Sequence, residues 1–274
     1  MSSVPNSAPG NRRSRGKWFL KIENLLLIGG LVALAFYGGT RLYIWAYQSY
    51  TDYSFEAQLS GRSPSIIGFV PHLFGKKEAP AGAEKKGPSE DELLRKMVYA
   101  PEVVPLDKGW SADRLRKYKE ATAPAPGSVL GRLEIPSLDL SVMLLNGTDE
   151  WTLNRAVGHI EGTALPGEPG NLGVAGHRDG FFRSLKDISK DTTISLTTLK
   201  GRFYYRVSAI HIVKPTDVHL LAPTRKPTIT LVTCYPFHYV GDAPKRYVVT
   251  AEMVKIQAPS ELAAEYSASR YSNR

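Results

Sequence analysis

The chain has 274 residues, of which 42% are hydrophobic, and it carries a formal net charge of +9. This length allows one well-packed domain with anchoring and linking segments, and it argues against two large domains. Part of the basic excess lies ahead of the first apolar run, and no nucleic-acid motif is present, so the sequence argues against a nucleic-acid-binding protein.

The first part of the chain is polar and is followed by an apolar run. Residues 1–16 are rich in Ser, Pro, Asn and Arg, a composition typical of a disordered tail. The apolar run begins at Leu25, and with its flanks it approaches the roughly 20 residues that a bilayer core requires. The sequence therefore predicts a cytoplasmic basic tail over 1–21 and a transmembrane anchor over 22–47.

The distribution of basic residues predicts the orientation of this anchor. Several lie shortly before the apolar run, namely Arg12, Arg13, Arg15, Lys17 and Lys21. Only Arg41 and Arg62 lie within a similar distance after it. Because basic flanks stay on the cytoplasmic side, we expect a single-pass protein with everything beyond about Tyr50 outside the membrane. A cleaved signal peptide is the alternative, but no convincing small-x-small cleavage site is present.

Residues 48–126 are predicted to be an extracytoplasmic spacer with short helices. Pro, Gly, Ser and Lys are scattered up to Pro88 without a sustained period. Ser89 and Glu92 form a capping-box signature for a short helix, and a second weak helix covers 111–121.

From Ser128 onward, short β-branched and aromatic runs are separated by Gly, Pro, Asn and Asp. Candidate strands cover 129–135, 140–145, 172–175, 193–197, 202–213, 228–233 and 247–256. The turn LKGR predicts a hairpin between the fourth and fifth of these. About seven strands with one helical stretch near 149–156 predict an all-β sandwich or a closed barrel. Residues 259–274 are predicted to be a short, frayed C-terminal tail.

The single cysteine, Cys234, ends the run TITLVTC. With no intrachain disulfide partner in an exported chain, it is buried and inert, paired with another chain, or reactive. A thiol at the end of a strand can be held rigidly and still be reached by a substrate. To act as a nucleophile it needs a proton acceptor or a nearby cation.

Two residues are candidates for activating this thiol. His177, in VAGHRDGFF, directly follows an apolar strand, and Arg246 begins the strand after the turn GDAP. Strand ends can meet across a barrel rim, and an antiparallel return would bring Arg246 back near Cys234, where it could bind an oxyanion or a substrate carbonyl. Each residue also has a non-catalytic interpretation. Cys234 could be a core thiol, His177 a histidine held by hydrogen bonds, and Arg246 a member of a surface salt bridge.

Three stretches, GTALPGEPGNLGVAGHRDGFFRSL, LVTCYPF and APKRYVV, resemble the sortase family, particularly its class D. The resemblance covers about residues 127–254. It implies an eight-stranded sortase β-barrel over 127–258. The predicted fold class is therefore all-β with short helices, preceded by one N-terminal transmembrane helix. It also implies that Cys234 of the TLVTC motif is the nucleophile and that His177 and Arg246 complete the catalytic site.

Two further residues are candidates for binding substrate. Thr233 could line the substrate groove, or it could be an ordinary strand residue that faces the core. His159 lies before a loop that resembles the sortase loop leading to His177, and a structural role is the favoured alternative. The other histidines show no metal-ligand spacing: His72, His211, His219 and His238. The sequence predicts neither a catalytic metal nor a cofactor.

The resemblance also implies a reaction and its partners. A cysteine transpeptidase would cleave an LPxTG-like C-terminal sorting signal, hold the acyl group as a thioester on Cys234, and transfer it to an amine. The expected partners are surface proteins with such a signal and an amine acceptor, either a peptidoglycan precursor or a pilin lysine, at the bacterial cell membrane. Two alternatives stay open: a thiol peptidase that releases product to water, and a non-catalytic anchored β-barrel binding protein.

Overall fold

The computed structural model describes residues 13–66, 68–70, 124–239 and 241–271. The chain divides into two compact units, Met1–Ala46 and Tyr47–Arg274. The helices predicted near 89 and over 111–121 lie outside the described residues, as does most of the predicted disordered tail.

The N-terminal part of the described chain is one long helix, α1 (Arg13–Leu59). Its segment Glu23–Leu59 is long and apolar enough to cross a membrane, so the expected candidate span is present. The helix begins within the tail predicted as disordered, and residues 48–59, predicted as spacer, are helical as well. Those residues contain neither Gly nor Pro, and the helix ends just before Gly61, whose φ of +67° suits the end of a helix.

The C-terminal part of the chain is a closed barrel of eight strands, which confirms the predicted fold class. The strands are β1 (Val129–Ile135), β2 (Leu140–Asn146), β3 (Val157–His159), β4 (Asn171–Ala175), β5 (Thr193–Thr198), β6 (Gly201–Val213), β7 (Thr228–Tyr235) and β8 (Lys245–Gln257). They close in the order β1, β2, β3, β4, β7, β8, β6, β5. The short helix α2 (Glu150–Leu153) and three 3-10 helices lie in the connections.

All seven predicted strands are present, and the LKGR turn joins β5 and β6 as an antiparallel hairpin. The eighth strand, β3, was missed because it has only three residues and contains a glycine. It pairs in parallel with β2 rather than by a hairpin. A Cβ at Gly158 would lie 2.1 Å from the carbonyl oxygen of Gly147, so this close approach of two backbones requires glycine.

The barrel interior is apolar and forms the main core. Alternate residues of the strands point inward, for example Ile229 and Leu231 of β7, which are fully buried. Phe182, from the 3-10 helix Phe181–Asp187, also enters this core. The inward alternation places the intervening residues of each strand on the outer face.

The outer face of β1 and β2 is covered by helices. Phe55, near the end of α1, packs against Met143 and Leu145. Arg132 of β1 donates hydrogen bonds to Asp52 and Glu56 at 2.7 and 2.8 Å. These contacts lie within the unit Tyr47–Arg274 and join the end of α1 to the barrel.

The prediction of a frayed tail after Pro259 was wrong. The segment forms helix α3 (Pro259–Tyr271), in which Leu262 is fully buried. Glu265 pairs with Arg202 of β6 at 3.0 Å, and the Tyr266 hydroxyl accepts a hydrogen bond from Arg132. A helix of this length is marginal on its own, and these contacts with the barrel stabilise it.

Candidate functional site

Cys234 and Arg246 are direct partners in the antiparallel pairing of β7 and β8. Side chains directly opposite each other in such a pair share one face of the sheet. Ile229 and Leu231 point into the core, so alternation along β7 puts Cys234 on the outer face, and Arg246 with it. Both side chains are half-buried. The expected return of the chain toward the cysteine is therefore present.

His177 reaches the same place from β4. The pairing of parallel strands β4 and β7 ends at Ala175 opposite Val232, and the Gly176 amide still donates to the Val232 carbonyl at 3.1 Å. Counting on by two residues in both strands puts His177 level with Cys234. The His177 side chain is half-buried. Three sequence-distant residues thus lie level with one another at the edge of the barrel where β4 and β7 end and β8 begins.

The Arg246 guanidinium rests on nearby backbone. Its Nη1 donates to the carbonyl oxygens of Ala243 and Lys245, at 3.2 and 3.1 Å. Among contacts to residues that the structure describes, only Nη1 is engaged, which leaves the Nε and Nη2 donors for another acceptor. A planar fork of donors fits a carbonyl oxygen or an oxyanion.

Thr233, the residue before the cysteine, faces inward. Its side chain is buried, with 2% exposure, and its hydroxyl donates to the carbonyl oxygen of Gly176 at 2.7 Å. This geometry favours the core-facing alternative over contact with substrate. The hydrogen bond also joins the strand that carries Cys234 to the segment that carries His177.

The Phe182 ring leaves no room for a side chain at position 176. A Cβ at Gly176 would lie 2.7 Å from the ring of Phe182, which is fully buried. The glycine beside the histidine therefore lets the backbone pass close to the core, and it sets where His177 emerges.

An aromatic cluster supports the end of β7. The rings of Phe237 and Tyr247 lie 5.1 Å apart, and Tyr235 contacts both at 6.0 and 6.2 Å. Burial raises the pKa of Tyr247, so its hydroxyl stays neutral under ordinary conditions. The cluster packs the start of the loop that follows Cys234 against β8.

His159 is buried, with both ring nitrogens engaged. Nδ1 lies 2.9 Å from the Asn146 side-chain oxygen, and Nε2 lies 3.1 Å from the Thr163 hydroxyl and 3.2 Å from the Ala164 carbonyl. Burial lowers the pKa of His159, and the hydrogen bonds to Thr163 and Ala164 offset this only in part. These contacts favour a structural role in shaping the loop before β4.

Sequence reasoning missed Arg178. Its guanidinium contacts the backbone of the loop between β7 and β8, at Tyr239 and Gly241. Arg178 belongs to the same GHR motif as His177, but a single sequence does not show which loop its side chain contacts. Within the described parts of the chain, no group of three His, Cys, Asp or Glu residues is placed to hold a metal ion.

Comparison with known proteins identifies relatives of the chain. A sortase-domain family model matches residues 133–254. Sortase D of Bacillus subtilis (strain 168) is 35% identical over 139 residues, which cover 50% of this chain and 70% of that protein. Sortase A of Bacillus anthracis is 27% identical over 181 residues, which cover 64% and 84% respectively.

A solved structure, of a Sortase D5 transpeptidase from Clostridium perfringens, is 26% identical and aligns over 60% of this chain and 98% of that one, with a TM-score of 0.45. The similarity to a Sortase D agrees with the class D resemblance of the sequence. Because the match to Sortase D spans more than two thirds of that protein, this chain belongs to the sortase family of cysteine transpeptidases.

Proposed function

We propose that this sortase is anchored in the membrane and uses Cys234 as nucleophile, His177 as proton donor and acceptor, and Arg246 as the group that binds the oxyanion. The observation that carries the proposal is that Cys234 and Arg246 are cross-strand partners on β7 and β8. His177 supports it, because it lies two residues beyond the last recorded pair of β4 and β7, Ala175 with Val232. Sequence reasoning reached the same three residues from strand ends and from the family motif.

The reaction would proceed in two steps, acylation of Cys234 and transfer of the acyl group to an amine. The Cys234 sulfur, as thiolate, attacks the carbonyl carbon of the scissile peptide bond in the sorting signal, and the C–N bond then breaks. Imidazolium His177 gives its proton to the departing amine, leaving a thioester on Cys234. An acceptor amine next attacks the thioester carbonyl, loses a proton to His177, and releases the cysteine as thiolate.

Arg246 would act on the charge that develops on the carbonyl oxygen in both steps. Its Nε and Nη2, which donate to none of the described residues, could bind the oxyanion while Nη1 keeps its contacts to Ala243 and Lys245. Donors that are already in place lower the barrier because no reorganisation is needed at the moment of reaction.

The proposed location follows from the N-terminal helix. The apolar segment of α1 would anchor the protein as a single pass, with the basic N-terminus in the cytoplasm and the barrel outside the bacterial cell membrane. A reporter enzyme that is active only outside the cytoplasm should then be active when it is fused after Arg274. Activity of a cytoplasmic reporter at that position would contradict the orientation.

The proposed substrates are surface proteins with an LPxTG-like C-terminal sorting signal. The acceptor is an amine, of a peptidoglycan precursor or of a pilin lysine. The test uses the full-length protein in detergent micelles with fluorogenic peptides of the form LPxTG, with and without hydroxylamine as a probe amine. We expect a thioester adduct on the Cys234 peptide by mass spectrometry, and a peptide–hydroxamate product when the amine is present.

The Cys234→Ala variant should form neither adduct nor product while keeping the near-ultraviolet circular dichroism of the parent. Turnover by this variant at the parental rate would refute the proposed nucleophile. Cleavage that forms no amine adduct at any amine concentration would identify a thiol peptidase instead.

A further inference from the structure

Arg178, the residue after His177, holds the loop that joins β7 to β8. Its Nη2 donates to the carbonyl oxygens of Tyr239 and Gly241, at 2.9 and 2.8 Å. Its Nη1 lies 3.4 Å from the carbonyl oxygen of Pro236. The guanidinium carbon also lies 5.7 Å from the centre of the Tyr239 ring, within cation–π range. One side chain therefore contacts three separate positions along the loop.

This loop, residues 236–244, connects Cys234 to Arg246. Arg246 rests on its last part, with Nη1 donating to the carbonyl oxygen of Ala243 at 3.2 Å. Arg178 holds the earlier part. A shift of the loop would move the backbone on which Arg246 rests, and with it the starting position of the guanidinium.

The base of Arg178 is itself firmly held. The carbonyl oxygen of His177 accepts hydrogen bonds from the amides of Gly180 and Phe182, both at 3.2 Å. Phe182 is fully buried in the barrel core. Because the segment around Arg178 is tied to the core, its side chain can restrain the loop rather than follow the movement of the loop.

We propose that Arg178 is a positioning residue that couples the segment carrying His177 to the loop between Cys234 and Arg246. It keeps the three groups aligned for acyl transfer, so this inference rests on the proposed function of those groups. Arginine suits the task because its planar fork has five donors and can bind several carbonyl oxygens at once, whereas lysine is a point charge on a flexible stem.

The test compares Arg178→Gln and Arg178→Lys with the parent, using the full-length protein in micelles. Arg183→Gln is the matched control, because Arg183 is exposed and its side chain makes no hydrogen bond to any described residue. Hydrogen exchange by mass spectrometry follows the peptides that cover residues 236–244. The rate constants are measured with one fluorogenic LPxTG peptide and normalised to the active enzyme, which is counted from the fraction of Cys234 that carries the thioester when no amine is added.

For Arg178→Gln we expect exchange in the loop to rise about tenfold or more, kcat to fall about tenfold, and KM to change less than about threefold. Arg178→Lys should lie between this variant and the parent, since it keeps the charge but loses the fork. Arg183→Gln should match the parent in all three measurements. A purely structural role would lower the fraction of active enzyme without lowering the normalised kcat.

Unchanged exchange in the loop would overturn the inference, because Arg178 would then not hold it. Faster exchange with a parental kcat would also overturn it, because the loop position would then not matter for the reaction. If Arg178→Gln fails to fold, seen as lost exchange protection in β7 and β8, Arg178→Lys carries the same test. A peptide-cleaving Cys234→Ala protein would refute the proposed function instead, and the exchange comparison would still decide whether Arg178 holds the loop.

Discussion

Cys234 and Arg246 lie directly opposite each other on β7 and β8, although eleven residues, including a loop, lie between them in the sequence. Because cross-strand partners share one face of a sheet, the pairing presents a thiol and a guanidinium to the same space outside the barrel. Neither side chain can leave that face without a slip in strand register, which would also turn the core residues of β8 outward. The core therefore maintains this juxtaposition.

Replacing Arg246 by lysine should lower kcat/KM about a hundredfold or more, within the range seen when one oxyanion donor is lost. Lysine keeps the positive charge but lacks the fork that could contact Ala243 and an oxyanion at the same time. Steady-state kinetics with a fluorogenic LPxTG peptide measure the change, and circular dichroism checks the fold. Near-parental kinetics would leave Arg246 as a surface residue, whose ion pairs contribute at most about 1 kcal/mol.

His177→Ala should be nearly as damaging as Cys234→Ala, because the thiol loses its proton partner and the leaving amine loses its proton donor. The clearest measurement is the rate of Cys234 alkylation by iodoacetamide at one fixed pH, which needs no substrate. This rate should be lower in His177→Ala than in the parent, because the thiol has lost its proton acceptor. Equal rates would separate His177 from the thiol. His211→Ala, an exposed histidine on β6, is the control.

Gly176→Ala should lower stability by about 1–3 kcal/mol, since the added Cβ overlaps the buried Phe182 ring. It should also lower kcat, because the backbone that carries His177 must move. Thermal unfolding and peptide cleavage measure the two effects. The double variant Gly176→Ala/Phe182→Leu should lose less than the sum of the two single variants, since the smaller side chain relieves the overlap. Simple additivity would argue against this contact.

Acid should destabilise the barrel partly through His159. Its pKa in the folded protein is lowered by burial, so the unfolded chain takes up the proton first as the pH falls. The stability that this difference contributes is fully present above about pH 6.5, the ordinary histidine value, and is lost as the pH falls through the folded pKa. Between pH 7.5 and 5.5 the melting temperature should therefore fall more for the parent than for His159→Gln. His211→Gln should follow the parent, and equal slopes for all three proteins would contradict the assignment.

Arg132→Met should destabilise the barrel by about 3–5 kcal/mol, because it removes one member of the buried ion pair between Arg132 and Asp52. The matched control is Lys226→Met, which removes an exposed pair with Glu252 and should cost at most about 1 kcal/mol. Chemical unfolding of the full-length proteins, followed by near-ultraviolet circular dichroism, gives both values. Equal losses of unfolding free energy in the two variants would show that the buried ion pair of Arg132 contributes no more than the exposed pair of Lys226.

Much of the fold was predictable from local sequence. The strands β1, β5 and β7 carry β-branched and apolar alternation that is visible in a window of a few residues, and the LKGR turn predicts the hairpin between β5 and β6. The strand β3 and the helix α3 were not predictable in this way. β3 is stabilised by parallel pairing with β2, and α3 by the burial of Leu262 and the bond from Arg132 to Tyr266, and neither set of contacts is visible in a short window of sequence.

For the candidate site, the sequence by itself determined the residue types and their places at strand ends: a lone thiol in TLVTC, a histidine after β4 and an arginine at the start of β8. Their catalytic roles stay predictions. Tertiary structure alone decided which side chains share a face, because register between β4, β7 and β8 is a long-range property. It also turned Thr233 and His159 inward and sent Arg178 to a loop some sixty positions away, since hydrogen-bond partners that distant leave no trace in the local pattern.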